Sequence, residues 1–272
     1  MRLLRICVII LFVLISVVFG GMYVENVVLA DKTVPEITID SDMLEVSLNA
    51  GDEELLKGVT AYDEKDKDIT DRVIVESVSN FIDEGVCKVT YAVCDNDNHV
   101  AKKSRKIKYK DYESPKFGLT QNTCYSIYER IDLANAVTAT DCIDGDISKQ
   151  VIITAENYTK SVAGVFSINV TVTNKKGDVS ELEIPLIIED RELSAPVIEL
   201  EEYLVYVEKG AKLDLKAMIT SATDSKKNDL TDSVKIESDI NTSKEGTYTV
   251  HYYATDEDDL RGHTVLTVVV GN

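Results

Sequence analysis

The chain of 272 residues contains no tryptophan and only three histidines, His99, His251 and His263. The histidines are far apart in the sequence and follow no zinc-binding spacing. No HExxH, GxSxG or phosphate-binding-loop motif is present, and the carboxylates are too evenly spread for an acid/base pair to stand out. These absences predict a protein that is not an enzyme and has neither catalytic nor cofactor-binding residues.

Basic residues are also scarce. The sequence has 29 Lys and Arg against 48 Asp and Glu, which gives a formal net charge of −19 at pH 7. Binding to nucleic acid needs a basic surface, so this composition argues against nucleic acid as a partner. The acidity fits a soluble surface outside the cytoplasm, and it also fits a surface that binds cations.

The N-terminus carries a long run without charge, from Ile6 to Val24, preceded by Arg2 and Arg5. A helix of this length would extend roughly 28 Å, close to the thickness of a bilayer core. The arginines predict a cytoplasmic N-terminus and an exported remainder, which makes the protein a single-pass protein of the cell membrane. The alternative is a cleaved signal peptide, with Gly20 or Ala30 at the cleavage site, and a secreted product.

The rest of the chain repeats itself. Three segments, EGVCKVTYAVCD from Glu84, AGVFSINVTVTN from Ala163 and EGTYTVHYYATD from Glu245, place a glycine before alternating apolar residues, about 80 residues apart. A period of this length indicates an array of small domains. We therefore expect the N-terminal segment at 1–30 and three domains at 31–111, 112–191 and 192–272. Short charged linkers between them indicate a stalk.

Strand patterns dominate each repeat. In the first glycine-led segment Val89, Tyr91 and Val93 share one face, while Lys88 and Thr90 share the other. One apolar and one polar face is typical of an antiparallel sheet. Several short strands per repeat, separated by turn residues, predict an all-β fold of three antiparallel β-sandwiches after the transmembrane helix.

The order of motifs resembles a known family. GVTAYD at Gly58, DGDIS at Asp144 and GTYTVHYYATD at Gly246 resemble the tandem bacterial immunoglobulin-like (Ig-like) domain of unknown function that is named for an insecticidal crystal toxin. The resemblance covers about residues 34–272 in three copies. The first copy has Lys67 where the motif has glycine, and the third has Asn228 in that turn. This resemblance implies Ig-like sandwiches in an extracellular setting, and it implies no catalytic residues.

Cysteines and aspartates supply the candidate sites. Cys124 and Cys142 flank an expected hairpin near Ile131, so a disulfide between them is one hypothesis; free thiols are the other. Aspartates recur in one turn of each repeat, and we expect Asp141, Asp144 and Asp146 of the second repeat to be the best candidates for calcium ligands. The alternative is that these aspartates cap their own turns.

Lysines alternate along one strand. Lys106, Lys108 and Lys110 should point outward from the last strand of the first repeat, where lysine would protect a sheet edge from unwanted pairing. A contact with an anionic polymer or membrane is the alternative.

Taken together, these patterns predict a non-catalytic protein of the cell surface or envelope. Its stalk would serve adhesion or display, with a protein or polysaccharide ligand and with the N-terminal helix in the membrane. The alternative functions are a structural spacer, and an accessory subunit of an envelope complex or carbohydrate-processing system. The lack of Trp argues against the carbohydrate-processing alternative, since proteins bind sugars by stacking them on aromatic side chains.

Overall fold

The computed structural model of the chain describes residues 2–24, 32–155 and 161–271. These fold into two compact units, Met1–Asp111 and Tyr112–Asn272. The first unit contains the N-terminal helix and one β-sandwich, called module 1, and the second contains two, called modules 2 and 3. The expected all-β fold after an apolar helix is confirmed.

The first helix, α1 (Arg2–Tyr23), contains the apolar run. Its segment Arg5–Tyr23 has a mean hydropathy of 2.8 and none of its residues is buried by protein. Such a helix is long and apolar enough to cross a membrane. Of the two cleavage sites considered, Gly20 lies within α1, and Ala30 lies outside the described residues.

Module 1 has a small sheet in the order β1-β3-β4 and a larger one in the order β2-β7-β6-β5. Its elements are β1 (Glu36–Ile39), β2 (Met43–Val46), α2 (Asp52–Leu55), β3 (Val59–Asp63), β4 (Lys67–Asp68), β5 (Ile74–Asp83), β6 (Val86–Cys94) and β7 (Val100–Tyr109). Its core includes the predicted inward face of β6, where Val89, Tyr91 and Val93 are buried. Cys87 is fully buried in the same cluster.

Module 2 repeats this plan with sheets β11-β10-β8 and β12-β13-β14-β9. Its elements are β8 (Lys116–Leu119), β9 (Cys124–Ser126), α3 (Leu133–Ala136), β10 (Val137–Asp141), β11 (Gly145–Asp146), β12 (Ile152–Ala155), β13 (Gly164–Thr173) and β14 (Val179–Glu189). Ile168, Val170 and Val172 of β13 face its core, as the alternation predicts.

Module 3 has the sheets β15-β17 and β16-β20-β19-β18. Its strands are β15 (Val197–Leu200), β16 (Leu204–Glu208), β17 (Ile219–Thr223), β18 (Lys235–Ser238), β19 (Gly246–Thr255) and β20 (Arg261–Gly271). Val250, Tyr252 and Ala254 of β19 are buried against β20.

One pair of strands in each module is parallel, whereas the sequence predicted antiparallel sheets. The pairs are β2 with β7, β9 with β14, and β16 with β20. The reason is that the chain pairs first in the small sheet and then crosses to the larger one, where it runs alongside the last strand in the same direction. This crossing also means that the lysine-bearing β7 lies between β2 and β6, so the predicted sheet edge is wrong. Lys106, Lys108 and Lys110 are nevertheless exposed, as expected.

The recurring D-I-[ST] motif has a clear local role. Ile69 and Ile147 are buried in the cores of modules 1 and 2, and the next residue, Thr70 or Ser148, begins a single 3₁₀ turn. The hydroxyl accepts the backbone N–H of Ala61 or Ala139 in the facing strand. This hydrogen bond ties the residues after the turn to the strand before it. The alanine and the hydroxyl residue therefore recur together in the repeats.

Candidate functional site

The aspartates of the second repeat act as turn caps in this structure. One oxygen of Asp141 accepts the backbone N–H groups of Ile143 and Asp144, and the other accepts the side chain of Asn174. Asp144 accepts the backbone N–H of Lys175 across the loop, and Asp146 accepts both N–H and O–H of Ser148. Because each carboxylate already accepts protein donors, the geometry favours turn capping. Calcium at these residues stays a prediction.

The expected disulfide between Cys124 and Cys142 is not formed, and both thiols are free. The segment between them is not a hairpin, because β9 belongs to one sheet and β10 to the other. Cys124 follows the end of β8 that pairs with the start of β10, and Cys142 follows the end of β10. The five residues of β10 extend about 17 Å from the end of the strand near Leu119 to the end near Cys142.

Cys124 instead lies where module 2 packs against module 3. It forms a small buried cluster with Ile187 of β14 and Val265 of β20. Beside this cluster, Leu204 of module 3 joins the core of module 2. The Tyr206 hydroxyl accepts the backbone N–H of Phe117, 2.9 Å away. Apolar packing and backbone hydrogen bonds thus make the second unit one body with two sandwiches.

A cluster of chemically reactive side chains lies at this junction. The Cys124 Sγ, a Glu189 carboxylate oxygen and the His263 Nδ1 are all within 4.8 Å of one another. The His263 Nδ1 is 2.7 Å from Glu189 Oε1 and 3.2 Å from Cys124 Sγ. Cys124 and His263 are buried, and about a third of the Glu189 side chain is exposed. Among the residues that the structure describes, this is the group of three with the spacing of metal ligands.

A second histidine extends the cluster. The His251 Nδ1 lies 2.9 Å from the His263 Nε2. An ionised carboxylate can only accept, so the His263 Nδ1 carries the proton that it donates to Glu189. When His263 is neutral, its Nε2 accepts from His251. Tyr253 stacks on His263 with centroids 4.4 Å apart, and the Arg261 guanidinium lies over Tyr253.

Burial and charge set the protonation of this cluster. The hydrogen bond from His263 lowers the pKa of Glu189 below its ordinary value. Burial, together with the charge of Glu189, raises the pKa of the Cys124 thiol far above its usual range, so the thiol is neutral at physiological pH. Burial also lowers the pKa of His251. Without an added cation, this arrangement therefore favours an ionised carboxylate and a neutral thiol.

The residues of this cluster are not shared by the equivalent positions of the other modules. By strand register, the position of Cys124 corresponds to Glu45 in module 1 and Tyr206 in module 3. The position of His263 corresponds to Lys102 and Glu181. Module 2 therefore supplies a cysteine and a glutamate, and module 3 a histidine pair, at positions where the other modules have unrelated side chains.

Sequence reasoning missed this cluster because it treated the three histidines as scattered. A partial signal was present: His251 and His263 lie on strands joined by a short turn, and the alternation places both on one face. The contacts of Cys124 and Glu189 with His263 have no comparable signal in the sequence, because they depend on how two modules pack.

A shallow polar cleft lies on the outer face of the larger sheet of module 3. It has a volume of about 570 Å³ and is lined by Glu237, Ser238, Asp239, Thr247, Tyr248, Thr249 and His251. Carboxylates and hydroxyls are prominent in this lining, so the surface can accept and donate several hydrogen bonds.

These modules define a class of proteins built from tandem Ig-like sandwiches. A family model described as bacterial surface protein, Ig-like domain, matches residues 37–108 and 201–270, together just over half of the chain. The chain belongs to this family. Membership supports a non-catalytic Ig-like protein with a surface or membrane location, and it confirms the resemblance found in the sequence.

Two curated relatives are similar over parts of the chain. The pesticidal crystal protein Cry22Aa of Bacillus thuringiensis is 36% identical over 122 residues, which cover 43% of this chain and 16% of that protein. An uncharacterized 81.3 kDa protein of Acholeplasma phage L2 is 28% identical over 145 residues, covering 52% of this chain and 19% of the relative. The chain thus spans less than a fifth of the length of these relatives.

Solved structures give weaker likenesses. The M60 catalytic domain with CBM51-1 and CBM51-2 domains from Clostridium perfringens ZmpB aligns with a TM-score of 0.26 and 17% identity, covering 88% of this chain and 31% of that one. Drosophila N-cadherin EC1-4 aligns with a TM-score of 0.25 and 13% identity, covering 89% and 76%. At such scores these likenesses carry no argument about function.

Proposed function

We propose that this chain is a membrane-tethered stalk that displays Ig-like modules outside the cytoplasm for adhesion to a ligand. The observation that carries the proposal is the presence, in one chain, of modules from a surface family and of an apolar helix whose segment Arg5–Tyr23 is not buried by the described part of the chain. Exposing that helix to water is unfavourable, and a bilayer removes the cost. Arg2 and Arg5 before it favour a cytoplasmic N-terminus.

A polysaccharide is the ligand that the chemistry favours. The polar cleft on module 3 presents the carboxylates of Glu237 and Asp239 and the hydroxyls of Thr247 and Thr249. Sugar hydroxyls both donate and accept hydrogen bonds, so they match such a surface. A protein ligand would be expected to bury more apolar area.

The test is binding of cells that express the full chain to immobilised polysaccharides, including cell-wall polymers, compared with cells lacking it. We expect retention that a double variant, Glu237→Lys with Thr249→Lys, abolishes. The matched control carries Ser167→Lys and Asn169→Lys on the corresponding exposed face of β13 in module 2 and should bind like the unaltered chain. Equal retention of cells with the unaltered chain, the double variant and the control variant contradicts the proposed ligand face.

The second candidate is a structural spacer or an accessory subunit of an envelope complex. The packing of module 3 against module 2 favours it, because a spacer needs modules that do not move freely. In that case the module 3 variants would have no effect, whereas deletion of a whole module would impair assembly of the complex.

A further inference from the structure

We propose that the junction of modules 2 and 3 is a binding site for a divalent transition metal, with zinc as the first candidate, whose ligands are Cys124, Glu189 and His263. The proposal is independent of the ligand of the stalk. It depends on three donor atoms of different types, contributed by two modules, that lie within 4.8 Å of one another. Thiolate, imidazole and carboxylate are the donors that zinc takes in proteins.

The distances between the donors fit a tetrahedral ion after a small expansion. Zinc bonds of about 2.0–2.3 Å place neighbouring ligand atoms roughly 3.3–3.6 Å apart. The His263 Nδ1 is 3.2 Å from Cys124 Sγ and 2.7 Å from Glu189 Oε1. Widening these two distances by about half an ångström gives that spacing, and Cys124 Sγ lies within 4.8 Å of the Glu189 oxygen. The fourth position is then left to water, because Glu189 is partly exposed to solvent.

His251 is placed to support the metal-binding form of His263. In the metal-bound state the His263 Nδ1 must give up its proton and use its lone pair as a ligand. Its Nε2 then carries the proton and donates it to the His251 Nδ1, 2.9 Å away. A hydrogen bond of this kind fixes the tautomer and ring orientation of a ligating histidine. His251 is thus a positioning residue rather than a ligand.

The charges of the ion and of its two anionic ligands balance. A divalent ion deprotonates a coordinating thiol, so the Cys124 thiolate and the Glu189 carboxylate together neutralise it. The Arg191 guanidinium lies beside the site and donates to the backbone oxygens of His263 and Cys124. Because Cys124 and Glu189 belong to module 2 and His263 to module 3, the ion would bind the two modules to each other.

The experiment uses the full chain in detergent micelles, stripped of metal by a chelator, with Co²⁺ as a spectroscopic probe. We expect one equivalent of Co²⁺ to produce the charge-transfer absorption of a cobalt–thiolate bond, and Zn²⁺ to remove it by displacement. The Cys124→Ser variant should lose the absorption. The Cys142→Ser and Cys94→Ser variants, which change exposed thiols, should keep it.

Several outcomes would overturn the proposal. They are the absence of any cobalt–thiolate absorption in the unaltered chain, its survival in Cys124→Ser, and its loss in Cys142→Ser. The absence of absorption is measured in the unaltered chain. This outcome therefore tests the proposal even if a variant fails to fold.

The role of His251 has its own test. The His251→Gln variant should bind Zn²⁺ about 10–100-fold more weakly while keeping the cobalt–thiolate absorption at saturation, as loss of a supporting hydrogen bond predicts. The control is His99→Gln, in module 1, which should leave the Zn²⁺ affinity unchanged. An unchanged affinity in His251→Gln contradicts the positioning role.

Discussion

At the scale of single residues, the least foreseeable feature is a buried arginine. Arg105 lies in the lysine-rich strand β7, yet only 4% of it is exposed. Its guanidinium donates to the Tyr91 hydroxyl and to the backbone oxygens of Leu55 and Lys57 at the end of α2. A buried charge is tolerated only when it is hydrogen-bonded in this way, and here it satisfies carbonyls that a short helix leaves unpaired.

The Arg105→Met variant should therefore destabilise module 1 by about 2–3 kcal/mol, because it removes charge-assisted hydrogen bonds to the Tyr91 hydroxyl and to the Leu55 and Lys57 oxygens. The Leu55 oxygen keeps the Tyr91 hydroxyl as a donor. Hydrogen exchange of the amides in β6 and β7 measures this loss as roughly 30–160-fold faster exchange. The control is Lys106→Ala, one residue along and exposed. Equal exchange rates in the two variants would mean that the buried contacts contribute little.

Sequence reasoning reached part of this picture. The outward direction of Lys106, Lys108 and Lys110 followed from alternation, since side chains of a strand point to opposite faces in turn. The burial of Arg105 did not, because it depends on the oxygens of Leu55 and Lys57 meeting a distant strand. The contact between Cys124 and His263 could not be predicted for the same reason. Both residues can be read from the sequence, but their contact depends on how two modules pack.

At the scale of secondary-structure elements, the aspartate of each D-x-[ST] turn adds a pH-dependent contribution. Asp68, Asp146 and Asp229 accept hydrogen bonds from the side chain and backbone of Thr70, Ser148 and Thr231 respectively, and these bonds lower the pKa of each aspartate. A depressed folded-state pKa gives stability that is present above the unfolded pKa of about 3.9 and is lost as the pH falls through the folded value.

A triple variant, Asp68→Asn with Asp146→Asn and Asp229→Asn, isolates this contribution. Asn keeps an acceptor for the turn but cannot ionise. We expect the unaltered chain to melt at a higher temperature than the variant at pH 6, and the difference to shrink as the pH falls below about 4. Thermal melts between pH 6 and pH 2 provide the measurement. A difference that does not change with pH would show that the ionised form is not favoured by folding.

The packing of β15 against β20 in module 3 depends on a glycine. A Cβ added at Gly262 would lie 1.9 Å from the backbone oxygen of Pro196, whereas one at Gly271 of the same strand would meet nothing within 4 Å. A contact that short cannot be relieved by rotating a side chain, because the obstacle is backbone.

We expect Gly262→Ala to destabilise module 3 by about 1–3 kcal/mol, as overpacking does elsewhere. Gly271→Ala should stay within about 0.5 kcal/mol of the unaltered chain. Thermal melts of the two variants compare them directly. Similar melting temperatures would indicate that β15 can move away from β20 at little cost.

At the scale of the whole molecule, the repeat and the alternation were sufficient to predict three sandwiches. The inward faces of β6, β13 and β19 are buried where the pattern placed them. The parallel pairs were not predicted, because alternation shows which face of a strand is buried but not which neighbour it has. The domain boundaries at 1–30, 31–111, 112–191 and 192–272 stay predictions, and the close packing of modules 2 and 3 had no signal in the sequence.

The central claim is that the modules are tethered outside the cytoplasm, and protease treatment of intact cells tests it most directly. The chain is expressed with one tag at each terminus, and the cells are treated before and after lysis. We predict that protease added to intact cells removes the C-terminal tag while the N-terminal tag stays protected in the membrane fraction. A C-terminal tag that is digested only after lysis would contradict the account.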